Sequence, residues 1–387
     1  MGGISMLYRT IAKTGDEVSV LGFGCMRLTG GESRIDEERA TRQIRYAIDR
    51  GVNYVDTAYP YHMGTCEPFL ARALSGGYRE RVKLATKLPC WMVGTREEMD
   101  RMLASQLERL GTGHIDYYLL HALYDKLWEK MRDADALAFL EKAKEDGRIR
   151  STGFSFHGDL GTFKEIVDAY DWDVCQIQYN YLDERNQAGT EGLEYAAARG
   201  LGVVVMEPLR GGNLAGRVPR EVQAIWDEAE VKRTPAEWAL RWVWNRPEVS
   251  VALSGMNEEK QIEENLRVAE EARPGSLTEK ELQLVRRVEE AYRGLMVVGC
   301  TGCRYCMPCP QGVNIPGCFE MYDKKRVFGD ERAQMVYAFR YAGIMGPPAH
   351  ASLCNECGQC TELCPQRLEI PALLKEVAEE FDRHLAL

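Results

Sequence analysis

Nine of the 13 cysteines of this 387-residue chain fall between Cys300 and Cys364, and eight of these nine form two closely spaced runs. The runs read Cys300-x2-Cys303-x2-Cys306-x2-Cys309-Pro310 and Cys354-x2-Cys357-x2-Cys360-x3-Cys364-Pro365. Thiolates two residues apart in a tight loop can bind three irons of one cubane, and the cysteine before proline then binds the other cluster. The second run has the spacing of bacterial two-cluster ferredoxins. The spacing therefore predicts two [4Fe-4S] clusters.

The two clusters are expected to exchange their fourth ligands. One ligand set is Cys300, Cys303, Cys306 and Cys364, and the other is Cys354, Cys357, Cys360 and Cys309. The first run is one residue short before its last cysteine, so Cys318 competes with Cys309, although the following proline favours Cys309. Two zinc sites are the alternative, because four-cysteine zinc sites also use Cys-x2-Cys pairs. Those pairs are usually separated, so four cysteines at continuous spacing favour iron.

Four ionisable residues in the first third of the chain stand at, or just after, the ends of predicted strands. Asp56 ends the second strand, Tyr61 lies in the loop after it, Lys87 ends the third strand and His121 ends the fourth. A cation near a phenol stabilises the phenolate, so we expect Lys87 to lower the pKa of Tyr61 from about 10 towards neutrality. Tyr61 could then protonate a developing alkoxide while His121 hydrogen-bonds the same oxygen. A buried Asp–Lys pair alone is often structural, but all four groups on one face indicate catalysis.

The elements that must position these residues alternate regularly along the chain. Predicted strands are one within Val18–Gly24, then Asn53–Thr57, Val82–Thr86, Ile115–Leu120, Ile149–Phe154, Val174–Gln178, Gly202–Met206 and Ser250–Leu253. Predicted helices between them include Asp36–Arg50, Arg96–Leu110, Ala134–Glu145, Phe163–Tyr170, Thr190–Arg199 and Thr234–Asn245. Parallel strands need crossover helices of this length, so the pattern predicts an α/β fold, a (β/α)8 TIM barrel with its catalytic side chains at the C-terminal ends of the strands. A doubly wound open sheet is the alternative, weakened by the absence of a Gly-x-Gly-x-x-Gly turn after the first strand.

The rise in cysteine density near Gly294 marks a change of domain. Residues 1–293 are predicted to form the barrel, with a charged helix over Leu277–Tyr292 leading to the tail. Residues 294–387 are predicted to form a small, mainly α-helical domain that is similar to ferredoxins and carries the iron–sulfur clusters. The remaining histidines and cysteines have no spaced partners. The histidines expected to be solvated are His157, His350 and His384. The cysteines expected to be small buried apolar side chains are Cys25, Cys66, Cys90 and Cys175.

The composition excludes several classes of partner. The formal net charge is −10, which gives no attraction to phosphate backbones or anionic lipid. No stretch approaches the roughly 18 uncharged apolar residues of a membrane helix, and the N-terminus lacks the pattern of a secretory signal. We therefore expect a cytoplasmic protein that acts on a small molecule and binds neither nucleic acid nor membrane.

Seven motifs occur together in a fixed order. They are NYVDTAYPYH, LATK, YYLLH, GFS, QIQYN, VVMEPLRGGNL and LSGMNEEKQIEENL. In this respect the chain, from about Leu7 to Ala291, resembles the aldo-keto reductase family, and the tail resembles the subgroup with a C-terminal ferredoxin-like domain of two [4Fe-4S] clusters. The resemblance implies a barrel without a Rossmann motif and hydride transfer between a nicotinamide, NADP or NAD, and a carbonyl. It makes Tyr61 the general acid, Asp56 and Lys87 its tuning pair, and His121 the residue that orients the carbonyl.

The resemblance also implies where the nicotinamide cofactor would bind. Ser155 and Gln176 would hold the carboxamide. The loop along the ring and pyrophosphate would comprise Met206, Pro208, Leu209 and Gly212, and the segment at the adenosine end would comprise Ser254, Gly255, Gln261, Glu264 and Asn265.

Some positions depart from the commoner family pattern. His62 stands where glycine is usual, and Met206 where many members stack an aromatic ring on the nicotinamide. Gly255 and Gln261 stand where members that prefer NADP often carry lysine and arginine, although Lys260 could substitute. The choice between NADP and NAD therefore stays open.

The two halves of the chain handle electrons differently. A nicotinamide passes two electrons as a hydride, whereas an iron–sulfur cluster passes one at a time, and no flavin fingerprint is visible to link them. The favoured interpretation is an NAD(P)H-dependent aldo-keto reductase acting on a small carbonyl or alcohol, whose clusters exchange electrons with a protein partner or staple the tail. One alternative is a ferredoxin-type electron-transfer reductase whose clusters feed the barrel site. The other is a nicotinamide-binding redox sensor, which would not need a tuned phenol.

Overall fold

The computed structural model describes residues 6–30, 34–216, 218–295, 297–327, 333–343 and 347–384. The chain divides into two compact units. The first comprises Met1–Pro208 and Glu237–Thr278, and the second comprises Leu209–Ala236 and Glu279–Leu387. No helix among the described residues is long and apolar enough to cross a membrane.

The first unit is built around a closed barrel of eight parallel strands. These are β3 (Leu21–Gly24), β4 (Tyr54–Asp56), β5 (Lys83–Leu88), β6 (Ile115–Leu123), β7 (Ile149–Phe156), β8 (Val174–Gln178), β9 (Gly202–Met206) and β10 (Val249–Ser254). Each strand pairs with the next along the chain, and β10 closes the barrel on β3. The predicted TIM barrel is confirmed. Because all strands are parallel, their C-terminal ends meet at one rim.

The strand predicted within Val18–Gly24 is β3, and a hairpin that was not predicted precedes it. β1 (Tyr8–Thr10) and β2 (Glu17–Ser19) form an antiparallel hairpin, and only Leu21–Gly24 enters the barrel. The hairpin is stabilised by packing against the barrel. Its residues Ile11 and Val18 are buried in one apolar cluster with inward-facing residues of the barrel strands such as Tyr54 and Val251. The hairpin therefore contributes its apolar side chains to the barrel core.

Helices connect the strands. They are α1 (Glu37–Asp49), α2 (Cys66–Ala73), α3 (Arg96–Leu110), α4 (Asp125–Asp133), α5 (Ala136–Glu145), α6 (Leu160–Ala169), α7 (Gly189–Ala198), α8 (Arg220–Trp226), α9 (Pro235–Trp244) and α10 (Glu259–Ala269). The bounds of α3 match the prediction because Thr95 caps its first turn and Gly111, at a φ of 59°, ends it. α4 was not predicted. The backbone of Asp135, at a φ of 58°, separates α4 from α5 where the sequence pattern suggested one helix from Ala134.

A buried network behind β5 fixes the backbone near its C-terminal end. Glu67 is fully buried and accepts hydrogen bonds from Thr86 Oγ1 (2.8 Å) and Gln106 Nε2 (2.7 Å). Arg109 Nε donates to the second carboxylate oxygen at 2.9 Å, and Gln106 also donates to the carbonyl of Lys87 at 3.1 Å. Removing one partner of a buried ion pair typically lowers the free energy of unfolding by about 3 to 5 kcal/mol, because the other charge is left unpaired. The network therefore holds the strand segment that carries Lys87.

The second unit is helical, and its described residues contain no strand. Besides α8, its helices are α11 (Glu279–Leu295), α12 (Ile315–Arg326), α13 (Ala333–Tyr341), α14 (Gln359–Glu362) and α15 (Ile370–Phe381). Its apolar core includes Phe319, Tyr337 and Phe381. Arg287 on α11 pairs with Glu228 after α8 (2.6 Å), so these two segments of the unit are in contact. The predicted domain limits of 1–293 and 294–387 would instead assign α8 and nearly all of α11 to the barrel domain. These limits stay a prediction.

Candidate active site

The C-terminal rim of the barrel brings Asp56, Tyr61, Lys87 and His121 together. Asp56 is the last residue of β4, Lys87 lies near the end of β5, and His121 lies near the end of β6. These three side chains are almost fully buried, whereas Tyr61 is partly exposed in the short helical turn after β4. The rings of Tyr61 and His121 are edge to face, with 6.2 Å between their centroids.

The ammonium group of Lys87 organises this cluster. Its Nζ donates to Asp56 Oδ1 at 2.7 Å and to the carbonyl of Thr57 at 2.8 Å, and it lies 3.4 Å from the hydroxyl oxygen of Tyr61. A protonated lysine has three donors and no acceptor, so the phenol oxygen must accept this third bond. The hydroxyl hydrogen of Tyr61 is then directed away from Lys87.

The expected lowering of the Tyr61 pKa is wrong. Desolvation raises the pKa of Tyr61 well above its ordinary value, and the charge of Asp56 acts in the same direction. The physical reason is that Asp56 pairs with Lys87 and offsets the positive charge that was expected to stabilise the phenolate. Tyr61 is therefore protonated at neutral pH.

The pKa of His121 is lowered well below its ordinary value, first by burial and then by the positive charge of Lys87. His121 is therefore a neutral imidazole at physiological pH. The ring of Trp91 lies beside it, with 5.1 Å between centroids, and is 42% exposed. Trp91 was not predicted from the sequence. Its position shortly after the end of β5 would have placed it at the rim of the barrel, near the site.

Two of the three histidines expected to be solvated, His157 and His350, are buried. His157 lies directly after β7, and its Nδ1 is 3.2 Å from Gln187 Oε1. Burial lowers the pKa of His157 to about 4. His350 packs in the second unit with its Nδ1 3.4 Å from Asp382. An isolated histidine gives no sequence signal for burial, because tertiary packing decides it. Cys25 and Cys66 are buried, as expected.

His62 occupies a backbone position that favours glycine. Its φ is 50° and that of Met63 is 54°, in the left-handed region where side chains other than glycine are strained. The imidazole Nε2 of His62 accepts a hydrogen bond from the backbone N–H of Leu28 at 3.1 Å. This bond ties the turn that carries Tyr61 to the loop after β3.

Ser155 and Gln176 are direct partners in the register of β7 and β8. Ser155 Oγ accepts from the N–H of Ala122 at 2.8 Å, and Gln176 Nε2 donates to Asp56 Oδ2 at 3.0 Å. These bonds leave the Ser155 hydroxyl hydrogen and the Gln176 amide oxygen as one donor and one acceptor side by side. That set is complementary to a carboxamide, so the residues present fit a nicotinamide.

The other cofactor-binding candidates lie on three segments. Met206 ends β9 and is partly exposed, and Pro208 is buried. Leu209 and Gly212 belong to the second unit, where Gly212 has a φ of 99°. The neighbouring Arg210 was not predicted. It is buried, and its guanidinium donates to the carbonyl of Gly299, next to Cys300, at 3.2 Å.

The adenosine-end candidates surround the start of α10. Asn265 Nδ2 donates to Ser254 Oγ at 2.9 Å, so these two buried side chains are paired. Gln261 Oε1 accepts from the N–H of Asn257 at 3.1 Å. Gly255 is exposed and Glu264 is half-buried.

Cysteines of the two runs lie near one another in the tail. Burial raises the pKa of Cys306 to about 12, with further contributions from Cys300 and Cys364 and a smaller one from Cys360. The pKa of Cys360 is raised by burial and then by three neighbouring thiols, those of Cys354, Cys309 and Cys357. A gap lined by Cys306, Cys309, Cys354, Cys357 and Cys360 lies among them. The cysteine before each proline is thus close to the other run.

Cys318 is not among the residues that line this gap. Its thiol is fully buried in the apolar core, 3.7 Å from the carbonyl of Ala349 and 3.9 Å from the hydroxyl of Tyr337. Cys309, by contrast, lines the gap. Within the described ranges, no three His, Cys, Asp or Glu side chains converge on a single metal ion.

Comparison with known proteins matches both parts of the chain. The model of the aldo/keto reductase family matches residues 20–290, and the model of a 4Fe-4S dicluster domain matches residues 299–368. The NADH-specific methylglyoxal reductase of Escherichia coli (strain K12) is 25% identical over 326 residues, 71% of this chain and 95% of that protein. The L-galactose dehydrogenase of Arabidopsis thaliana is 25% identical over 307 residues, 74% of this chain and 95% of that protein.

A solved structure shares the barrel. The holo form of aldo-keto reductase AKR11C1 from Bacillus halodurans superposes with a TM-score of 0.62 at 27% identity, over 73% of this chain and 96% of that one. With the family model spanning the whole barrel, the chain belongs to the aldo/keto reductase family of oxidoreductases and carries a 4Fe-4S dicluster domain after its barrel.

Proposed function

We propose that this protein reduces a small aldehyde or ketone with NAD(P)H, or oxidises the corresponding alcohol. The observation that carries the proposal is the hydrogen-bonded group of Asp56, Lys87 and Tyr61 at the barrel rim, next to His121. The names of two relatives, a methylglyoxal reductase and an L-galactose dehydrogenase, support a small carbonyl or hydroxyl substrate.

Tyr61 is the proposed proton donor. Because Lys87 fills one lone pair of the phenol oxygen, the hydroxyl hydrogen is available to the substrate oxygen. The raised pKa of Tyr61 keeps that hydrogen in place at neutral pH, which favours carbonyl reduction over alcohol oxidation. Carbonyl reduction requires one hydride on carbon and one proton on oxygen, and Tyr61 supplies the proton.

His121 is the proposed orienting residue. As a neutral imidazole it can donate one hydrogen bond to the substrate oxygen without a charge that would compete with Lys87. The partly exposed ring of Trp91 beside it would shield the same oxygen from water.

The nicotinamide cofactor supplies the hydride when it is bound. Ser155 and Gln176 would hold its carboxamide, and the bond from Gln176 to Asp56 would link that contact to the Lys87 cluster. Met206, Pro208, Leu209 and Gly212 would line the ring and pyrophosphate. Ser254, Gly255, Gln261, Glu264 and Asn265 would hold the adenosine end.

We propose two [4Fe-4S] clusters in the tail, held by the two interleaved cysteine sets. The grouping of Cys306 with Cys364, and of Cys360 with Cys309, supports this assignment. When bound, such clusters supply one-electron transfer. The clusters would have one of two roles. They would exchange single electrons with a partner protein, or they would only stabilise the fold of the tail.

Replacing Tyr61 by Phe removes the proposed proton donor and keeps the ring. Reduction of an aldehyde panel by anaerobically purified protein is expected to fall by about 10²- to 10⁴-fold, with cofactor affinity nearly unchanged. Tyr59→Phe, in the same loop, is the matched control and should retain activity. Tyr61 is not the acid if Tyr61→Phe keeps more than about a tenth of the wild-type rate.

The pH dependence follows from the two shifted groups at the rim. Tyr61 must be protonated and its pKa is raised, and His121 must be neutral and its pKa is lowered. The value of kcat/KM for carbonyl reduction is therefore expected to stay flat between about pH 6 and pH 9. A decline with an apparent pKa near 7 would show instead that Lys87 dominates the environment of the phenol.

The interleaved clusters make a non-local prediction. Cys303→Ala and Cys364→Ala are each expected to leave about four of eight irons, and the double variant should also retain about four with one paramagnetic signal, because both changes strike one cluster. Cys318→Ala is the control and should retain all the iron. Loss of every cluster in the double variant alone would contradict interleaving, and stoichiometric zinc in protein made without oxygen would contradict the iron–sulfur assignment.

A further inference from the structure

Arg210 is a buried arginine, in the loop after β9, that the proposed reaction does not use. Its side chain is only 5% exposed. Its backbone has a φ of 46°, a left-handed conformation that is strained for any residue with a side chain, and Gly211 and Gly212 continue it with φ values of 68° and 99°. Such strain persists only where the surrounding structure holds the residue in place.

One contact of the Arg210 side chain is with the residue before the first cysteine run. Its Nη2 donates to the carbonyl of Gly299 at 3.2 Å, and Gly299 directly precedes Cys300. Arg210, Gly299 and Cys300 all belong to the second unit. A guanidinium charge, which is never lost at physiological pH, therefore lies one residue from a proposed cluster ligand.

A carboxylate on α12 holds the preceding residue. Asp323 Oδ1 accepts from the N–H of Val298 at 3.1 Å, and Val298 is buried in the apolar core of the unit. Burial raises the pKa of Asp323 to about 6, against the hydrogen bond from Val298 and the positive charge of Arg210. Two successive residues before Cys300 are thus held by side chains of opposite charge.

The second cysteine run offers an internal comparison. Cys300 Sγ accepts from the N–H of Gly302, and Cys354 Sγ accepts from the N–H of Glu356, both at 3.4 Å. Gly302 and Glu356 also share a positive φ, 69° and 58°. The two runs therefore begin with the same turn. They differ in that no arginine side chain among the described residues donates to the carbonyl of Leu353, the residue before Cys354.

We propose that Arg210 couples the oxidation state of the first-run cluster to dinucleotide binding. The first-run cluster is the proposed cluster held by Cys300, Cys303, Cys306 and Cys364. The inference rests on the proposed function, which also places the dinucleotide along the segment from Leu209 to Gly212. Reduction gives the cluster one electron from a one-electron carrier and no proton, so its charge becomes one unit more negative. The nearby guanidinium stabilises that charge and raises the reduction potential of the cluster.

A bound dinucleotide acts on the same positive charge from the other end of the arginine. Its pyrophosphate is anionic, and the backbone of Arg210 belongs to the segment proposed to line it. Negative charge added there opposes the electron on the cluster, so dinucleotide binding lowers the reduction potential of the first-run cluster. Linkage then requires reduction of the cluster to weaken dinucleotide binding by the same factor. An electron that arrives on the first-run cluster therefore favours release of the dinucleotide.

The test is a redox titration of the full-length, cluster-loaded protein, followed by electron paramagnetic resonance at pH 8, where Asp323 is ionised. The probes are ADP-ribose and its 2′-phosphate, which keep the pyrophosphate and cannot accept a hydride. Cys303→Ala, which removes the first-run cluster, identifies its signal. We expect either probe that binds to shift the potential of the first-run cluster to more negative values and to leave the second nearly unchanged. Calorimetry should show at least about fivefold weaker binding of that probe to reduced than to oxidised protein.

Replacing Arg210 by Met removes the charge and keeps most of the length of the side chain. This variant should retain its iron, show a more negative potential of the first-run cluster without any probe, and lose most of the shift that the probe causes. Arg210→Lys keeps the charge and should restore most of the potential. Arg287→Met is the matched control, since it removes an arginine of the same unit that pairs with Glu228, and it should change neither cluster.

An unchanged potential in iron-loaded Arg210→Met would overturn the inference. Equal affinity of the probe for oxidised and reduced wild-type protein would overturn it as well, and this comparison decides the matter if Arg210→Met loses its iron. Both results leave the proposed function standing. Failure of NADH, NADPH and both probes to bind the oxidised wild-type protein would instead overturn the proposed function.

Discussion

The buried ion pair between Lys87 and Asp56 is the interaction on which the site depends. Removing two charges from water is costly, and the cost is met only if every donor and acceptor of the pair is satisfied. The carbonyl of Thr57 and the amide of Gln176 complete the pair, and the phenol oxygen of Tyr61 takes the remaining lysine donor. The position of Tyr61 and the direction of its hydroxyl hydrogen therefore follow from satisfying a buried cation.

The closed parallel barrel makes this arrangement possible, since it brings the ends of strands distant in sequence to one rim. Alternating apolar runs and helices were enough to predict it, and the bounds of β8, β9 and α3 agree with the structure. The hairpin of β1 and β2 and the helix α4 were missed because tertiary packing decides them. The pKa of Tyr61 was also misjudged, because the charge of Asp56 offsets that of Lys87 and desolvation then dominates.

In the tail, the spacing of the cysteines was enough to predict which thiols lie near one another, but not every contact around them. The two Cys-Pro runs predicted an exchange of ligands, and the thiols that influence Cys306 and Cys360 come from both runs. Sequence spacing could not decide between Cys309 and Cys318, which differ in burial. Cys318 belongs to the apolar core around Phe319 and Tyr337, whereas Cys309 lines the gap. Spacing alone also did not reveal Arg210, whose contact with the Gly299 carbonyl requires the folded chain.

We propose that a nicotinamide bound at the barrel rim would give its hydride directly to the substrate carbon, while Tyr61 gives its proton to the substrate oxygen. The most direct test uses NADH and NADPH deuterated at C4, on either face, with an aldehyde that the protein reduces, and locates the label in the product by NMR. Direct hydride transfer predicts one deuterium on the carbinol carbon with one of the two labelled faces. An unlabelled carbinol carbon with both faces, formed while the cofactor is oxidised, would mean that electrons reach the substrate singly and that its hydrogen comes from solvent.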